Sequence, residues 1–469
     1  MITDQKESAT LRDGLPLPAR FWAILAIALG LSVSVLDVTI VNVALPTIAM
    51  EMHTSPSDVI WVVNAYQLSI ILTLLSFSSL GDIFGYRKIY LFGLTLFGVA
   101  SIACALSESF LTLIIARALQ GFGAAALSSV NTALLRIIYP KRQLGRGMGI
   151  NALVVAVSLA AGPTIASIVL SVAHWNWLFA INVPIVLLAL YFSLRYLPQN
   201  PVKVEGRKFD YLSSATNALV FGLLIFTLDG ITHKWSCYLI LLGALAFLTI
   251  GTIFVRKQLR QEHPLLPVDL MRIPIFSLSI LTSSCSFTAQ MLAMVSLPFF
   301  FQNTLGYDSS HIGFLLTPWP LAIMLVAPIA GRLVEHLHAG ILGGIGMMIF
   351  ATGLFLIAFM PDHPTTFDIL WRMSLCGAGF GLFQSPNSSI IVSSAPQHRS
   401  GGASGMLGTA RMLGQTLGAA LAAMMFTLFP TNNTRASLLL AGTFALVAMI
   451  VSMLRISLPT PIAPQRKKD

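Results

Sequence analysis

One carboxylate stands where the chain around it is otherwise apolar: Asp37, within residues 21–45. A charge at the centre of a bilayer costs about 2.5–3.5 kcal/mol on insertion scales, so intramembrane acids usually face a wet cavity and bind protons or cations there. The plainer use is a protonated, hydrogen-bonded carboxyl that locks two helices together. A second charge, Arg117, lies in a later apolar stretch. At about 1.5 Å per residue, Asp37 lies ~24 Å from the inner end of its segment. Arg117 lies ~10 Å from the outer end of its own, hence ~20 Å from the inner side of a ~30 Å hydrocarbon core. The two groups therefore share a depth. An ionised Asp37 could pair with Arg117, and a protonated or substrate-occupied one would release it.

Long apolar segments have to hold those charges, and the composition supplies them. The chain has 469 residues, of which 56% are hydrophobic and 10% charged, against about 25% charged in soluble domains. Runs of about twenty apolar residues predict fourteen spans, centred near residues 33, 69, 97, 121, 159, 187, 222, 246, 288, 322, 350, 380, 415 and 446. The first twenty residues are polar and residues 21–45 are too long for a signal-peptide core, so the first span is expected to be retained. Cys104, Cys237, Cys285 and Cys376 lie in or at the ends of separate spans, which predicts buried thiols rather than disulfides. The nine histidines form no metal cluster.

The net charge of +10 reads as topology rather than nucleic-acid binding. With the N-terminus inside, 23 of the 28 Lys and Arg residues fall on inner segments, Arg455 among them, whereas Lys234 and Arg435 fall outside. This bias places both termini in the cytoplasm. The chain also repeats. Ser78-x-Leu80-x-Asp82 returns 253 residues on as Gly331-x-Leu333-x-Glu335. Arg117-x-x-x-Gly121-x-Gly123 returns as Arg372-x-x-x-x-Gly377-x-Gly379, and Arg142-x-x-Gly145 as Arg399-x-x-Gly402. Two homologous six-span halves follow, with spans 7 and 8 inserted between them. The expected division is a cytoplasmic segment 1–20, a first six-helix bundle 21–198, a linker and helix pair 199–256, a second bundle 257–456 with its preceding loop, and a tail 457–469. Parallel repeats of this kind place a substrate site at their interface near the midplane.

These residues resemble the major facilitator superfamily, and within it the fourteen-span drug:proton antiporters, over nearly the whole length. The run Leu36-Asp37-Val38-Thr39-Ile40-Val41-Asn42-Val43-Ala44-Leu45-Pro46 is similar to that branch's first-span signature. Leu113-x-x-x-Arg117-x-x-Gln120-Gly121-x-Gly123 resembles the fourth-span motif. Gly149, Ser158 and Gly162-Pro163 resemble the antiporter motif of span 5, with small residues in place of three glycines. Leu80, Asp82, Gly85 and Arg87 resemble the loop motif between spans 2 and 3, with Ser78 at the leading glycine and no arginine directly after Asp82.

The resemblance implies an all-α membrane protein of fourteen helices: two six-helix bundles plus an inserted pair. It implies proton coupling at Asp37 and Arg117, gating by Asp82, Gly85, Arg87 and Glu335, and a cavity sealed against proton leak by Gly149, Gly162 and Pro163. On residue chemistry alone, Asp82, Arg87 and Lys88 could latch two bundles or merely enforce orientation, and Gly162-Pro163 could be a packing kink. Deep polar and apolar groups mark a substrate cavity. Asn42, Trp61, Asn64, Tyr66, Gln67 and Gln120 come from the first half; Phe287, Gln290, Met291, Phe383, Gln384 and Arg411 come from the second. Gln290 stands where the repeat would put a second acid. Aromatic faces attract cations and methionine adapts to varied shapes, which suits amphipathic or cationic compounds.

No phosphate-binding loop and no catalytic pair of carboxylates is present, so neither an enzyme nor a cofactor is expected. The expectation is a monomeric exporter in the bacterial inner membrane that exchanges protons for toxic, drug-like organic compounds. A proton-coupled carrier of one metabolite (an amino acid, organic acid or siderophore) is the alternative. A receptor or scaffold needs neither the charges nor the repeat.

Overall fold

Inside hydrocarbon each backbone N–H and C=O has to be satisfied within its own segment, which leaves helices as the form these apolar runs can take. The computed structural model describes residues 14–140, 143–199, 209–261, 264, 266–334, 337–361, 363–396, 399–430 and 432–457, and they are helical almost throughout. The first half comprises α1 (Leu17–Glu51), the short α2 (Pro56–Val59), α3 (Trp61–Phe84), α4 (Tyr86–Ala105), α5 (Phe110–Ile138) and α6 (Leu144–Val172). The short α7 (Trp177–Ala180) and α8 (Asn182–Tyr196) complete it. Next come α9 (Tyr211–Thr232) and α10 (Cys237–Gln258). The second half comprises α11 (Pro274–Phe299), α12 (Ser309–Leu316), α13 (Pro318–Leu333) and α14 (Ala339–Ala358), then α15 (Thr366–Ser394), α16 (Ser400–Leu428) and α17 (Asn433–Leu454).

Each of the fourteen expected centres falls in one of these helices. Among the described residues, twelve segments are long and apolar enough to cross a membrane. The other two centres lie in α15 and α16, each 29 residues long. Both are less apolar, because α15 carries Asp368, Arg372, Gln384 and Asn387 and α16 carries Arg411, Gln415 and several glycines.

The internal repeat reappears as matched backbone contacts. A Cβ on Gly121 would press on the carbonyl of Tyr66, and one on Gly377 would press on that of Trp319, 253 residues after Tyr66. Gly93 meets the carbonyl of Gly123, which in turn lies against the amide of Phe97; Gly346, Gly379 and Phe350 repeat this arrangement. Small residues let helix backbones approach where lipid tails offer no hydrophobic drive to associate. The motif glycines thus pack α3 and α4 on α5, and α13 and α14 on α15.

We call the face where α1 begins and α17 ends the inner face. Towards the outer face the two halves share one apolar core. It joins Ile40–Ile48 of α1 and Phe179 to Phe287–Phe301 and to Ile312–Trp319. Gly313 of α12 sits directly on the Pro163 carbonyl, and Thr164 and Thr317 hydroxyls meet at 3.0 Å across the seam. Towards the inner face the cores are separate, one built around Tyr90 and Leu134 and the other around Phe276 and Ile391. The halves are closed on the outer side and parted on the inner side.

Polar ties fasten the inserted pair. Asp210 caps α9 through the Ser213 amide at 2.9 Å and reaches Lys257 in the last turn of α10 and Gln261 just beyond it. Burial would raise its carboxyl pKa, but hydrogen bonds from Ser213 and Gln261 and the Lys257 charge hold it well below the usual range. Asn217 donates to the Leu72 carbonyl of α3 at 3.3 Å. At the outer end Trp61 donates to Asp229 at 2.9 Å, and His233 stands 3.1 Å from Asp58 and 3.2 Å from Asp229. In α10 only Gly243, Phe254 and Gln258 are buried. Of the four thiols expected to be buried, Cys237 is exposed, because it begins this peripheral helix, whereas Cys104, Cys285 and Cys376 are buried.

Burial alone would lower the pKa of His233, yet hydrogen bonds to Asp58 and the Asp229 carbonyl, with both carboxylate charges, raise it above 6.5. The charged tie between α9 and α2 should be complete below the ordinary imidazole value and fade as pH rises through the raised one. Spin-label distances between the outer ends of α9 and α2 should lengthen on alkalinisation in the wild type. They should be independent of pH in His233→Gln; a titration that survives this substitution would assign the effect elsewhere.

Candidate functional site

Asp37 and Arg117 meet. Both are 1% exposed, and Arg117 Nη1 forms an ion pair with Asp37 Oδ2. The other carboxylate oxygen, Oδ1, accepts from Gln120 Nε2 and from Asn182 Nδ2, each at 2.8 Å. Gln120 also donates to Ser101 Oγ at 2.9 Å and accepts from Arg117 Nη1 at 2.5 Å. Arg117 Nε donates to the Val62 carbonyl at 2.9 Å, and its guanidinium lies 4.3 Å from the centre of the Tyr66 ring. The Tyr66 hydroxyl donates to the Ser34 carbonyl at 3.2 Å.

A buried ion pair persists only when further hydrogen bonds satisfy its remaining donors and lone pairs. Here that cage draws on α1, α3, α4, α5 and α8, all in the first half. Three N–H donors occupy three of the carboxylate's roughly four acceptor sites, so a proton has room on Oδ2 but cancels the charge that holds Arg117. Protonation and rearrangement are linked through that charge.

Asn182 and Ser101 were not among the expected site residues. The criterion that singles out Asp37, a polar group deep in an apolar segment, applies to Asn182 as well. Gln120 and Tyr66, expected in a substrate cavity, belong to this buried cage. Trp61 is engaged with Asp229 at the outer end of α9. Asn42, Asn64 and Gln67 are buried, with Asn42 Oδ1, Asn64 Oδ1 and both Gln67 amide atoms lacking a hydrogen-bond partner. Phe287 and Met291 of α11 are buried, and Phe380 bridges Phe287 to Phe383 edge to face, at 5.4 and 6.0 Å. Gln290, Gln384 and Arg411 are half-buried.

The gating residues lie at the inner ends of α3 and α4. Gly85 joins these helices at φ 107°, a conformation that excludes ordinary side chains. Asp82 accepts from Tyr86 at 2.7 Å, Arg87 donates to the Leu194 carbonyl of α8 within the same half, and Lys88 is exposed. Glu335 and Arg142 lie outside the described residues. In α6, Gly162 is pressed against Thr39 of α1 and Pro163 against Gly313, whereas Gly149 borders open space.

Two arginines of the second half have partners of their own. Arg372, the repeat partner of Arg117, pairs with Asp368 one turn away at 3.0 Å. Arg455, counted among the inner charges, is fully buried and donates to Ser279, Asn387 and Ser452. Among the described residues no group of His, Cys, Asp and Glu could hold a metal ion.

Removing one partner of a buried pair typically costs ~3–5 kcal/mol, because the other charge is left uncompensated. Arg117→Met should therefore lower the unfolding temperature sharply in detergent. Adding Asp37→Asn should recover most of the loss; additive losses in the double variant would show that the two residues are energetically independent.

A family model described as the Major Facilitator Superfamily matches residues 27–419 and 279–469. The chain is 57% identical over 447 residues to YebQ, an uncharacterized transporter of Escherichia coli (strain K12), covering 95% of this chain and 98% of that one. It is 30% identical over 400 residues to the multidrug resistance protein Stp of Mycobacterium tuberculosis (strain CDC 1551 / Oshkosh), covering 85% and 74% of the two chains. A crystal structure of a POT family transporter, in complex with a thioalcohol-conjugated peptide, has the same fold. Its TM-score is 0.69 over 92% of this chain and 95% of that chain, at 16% identity. The protein is a multi-pass membrane transporter, not an enzyme, and belongs to the Major Facilitator Superfamily.

Proposed function

We propose that this transporter is a proton-coupled antiporter that exports drug-like amphipathic compounds across the bacterial inner membrane. The observation that carries the reading is the Asp37 cage. Its carboxylate is held by Arg117, Gln120 and Asn182, so a proton on Asp37 removes the charge that binds them and loosens α5 and α8 from α1. Alternating access would use that release to exchange the closed outer seam for a closed inner one. The arrangement described here, parted on the inner side, is then the inward-open end of the cycle.

In this reading α15 and α16 also cross the membrane and complete fourteen spans, both termini are cytoplasmic, and the monomer is the working unit. The two bundles are 21–198 and 257–456, with α9 and α10 inserted between them. The multidrug resistance name of its 30%-identical relative supports a drug-like substrate class.

The test is export from energised cells of a host lacking its own pumps, using cationic, neutral and anionic fluorescent probes. Uncoupler-sensitive export of at least one class is expected. Asp37→Asn, compared at matched protein level in the membrane, should lose the response to an imposed proton gradient. Gradient-driven export at wild-type rate by Asp37→Asn would overturn the coupling role, and transport confined to one small polar metabolite would overturn the drug-like class.

A further inference from the structure

The membrane-embedded charges do not balance. Asp37 is the one acid deep within a span, and Arg117 already pairs with it. Arg411, eleven residues into α16, is a second deep cation. Among the described residues no carboxylate pairs with Arg411, and its Nε is buried without a hydrogen-bond partner. An arginine at membrane depth is expensive and usually faces a pathway or a partner.

Its neighbours fix its place. Met412 packs in the cluster that contains Tyr66 and Ile70 of α3. Gly414, one turn on, presses against Ser284 and Phe287 of α11. Arg411 therefore stands on a helix that packs against both halves, next to a cluster that includes Tyr66, whose ring underlies Arg117. One turn towards the inner face, a Cβ on Gly408 would have nothing within 4 Å, and the same holds for Gly405. The edge-to-face aromatics Phe287, Phe380 and Phe383 belong to the half that carries Arg411.

We infer that Arg411 binds the anionic group of the transported compound, which makes the substrate class amphipathic organic acids rather than cations. A planar guanidinium suits a carboxylate or another oxyanion through two parallel hydrogen bonds. Asn64 Oδ1 and both amide atoms of Gln67, buried on α3 without a hydrogen-bond partner, add neutral donors and acceptors across the seam. The inference rests on the export reading and narrows its substrate class, whose charge that reading leaves open, to acids.

Three probes with one aromatic body separate the two ideas: pyrenebutyrate, its uncharged amide, and a pyrene trimethylammonium. Transport is measured in phosphatidylcholine proteoliposomes under an imposed proton gradient. The wild type should move the carboxylate faster than the amide. In Arg411→Gln the carboxylate-to-amide ratio should fall by about tenfold or more, as loss of a charge-assisted hydrogen bond implies, while Arg411→Lys keeps part of it. The ratio is internal to each preparation, so a poorly folded variant does not mimic the result. An unchanged ratio in Arg411→Gln, or wild-type preference for the ammonium probe, overturns the inference and leaves export standing. Gradient-driven transport of none of the three overturns both.

Discussion

An ionised carboxylate that has left water keeps its charge only if protein donors replace the hydration it gave up. Asp37 meets that condition with donors from α5 and α8, and their own bonds carry the constraint outward. Arg117 reaches the backbone of α3 and the face of Tyr66, and Gln120 reaches Ser101 on α4. The first half is thus organised around one point charge as well as by close helix contacts. Because the cage is built on that charge, neutralising its centre weakens the hold on every helix that belongs to it. This is what makes a buried acid useful to a transporter, where an apolar residue would serve packing equally well.

The two halves share their scaffolding and differ in their charges. Tyr66 on Gly121 and Trp319 on Gly377 are the same contact made twice, as are the approaches at Gly123 and Gly379. The polar groups have diverged on that common frame. Gln290 replaces the central acid, Arg372 is neutralised locally by Asp368, and Arg455 is buried among serines and Asn387 at the inner end. Close-packed glycines tolerate little change, because any Cβ would strike a neighbouring backbone. A polar side chain can be relocated if its new neighbours satisfy it.

The inserted helices are unequal partners. α9 is bonded along its length to α3 and also packs on α16, so it lies where the halves meet, while α10 leans on α9 and leaves most of its surface exposed. Asp229 and His233 form the outer end of that attachment through Trp61 and Asp58.

Segment-level properties were legible in the sequence. Runs of apolar residues located every long helix, the 253-residue repeat anticipated the matched glycine contacts, and depth arithmetic brought Arg117 to the level of Asp37. Each of these follows from local composition or regular helical rise. The tertiary structure decided the partners: that Gln120 completes the cage, that Asn182 joins it from 145 residues away, that Trp61 holds α9, and that Arg455 is buried. It also decided that the halves close on the outer side through Pro163 and Gly313. A polar residue in an apolar helix announces that it needs a partner, but which partner it finds depends on how distant segments pack, and hydropathy and spacing carry no record of that.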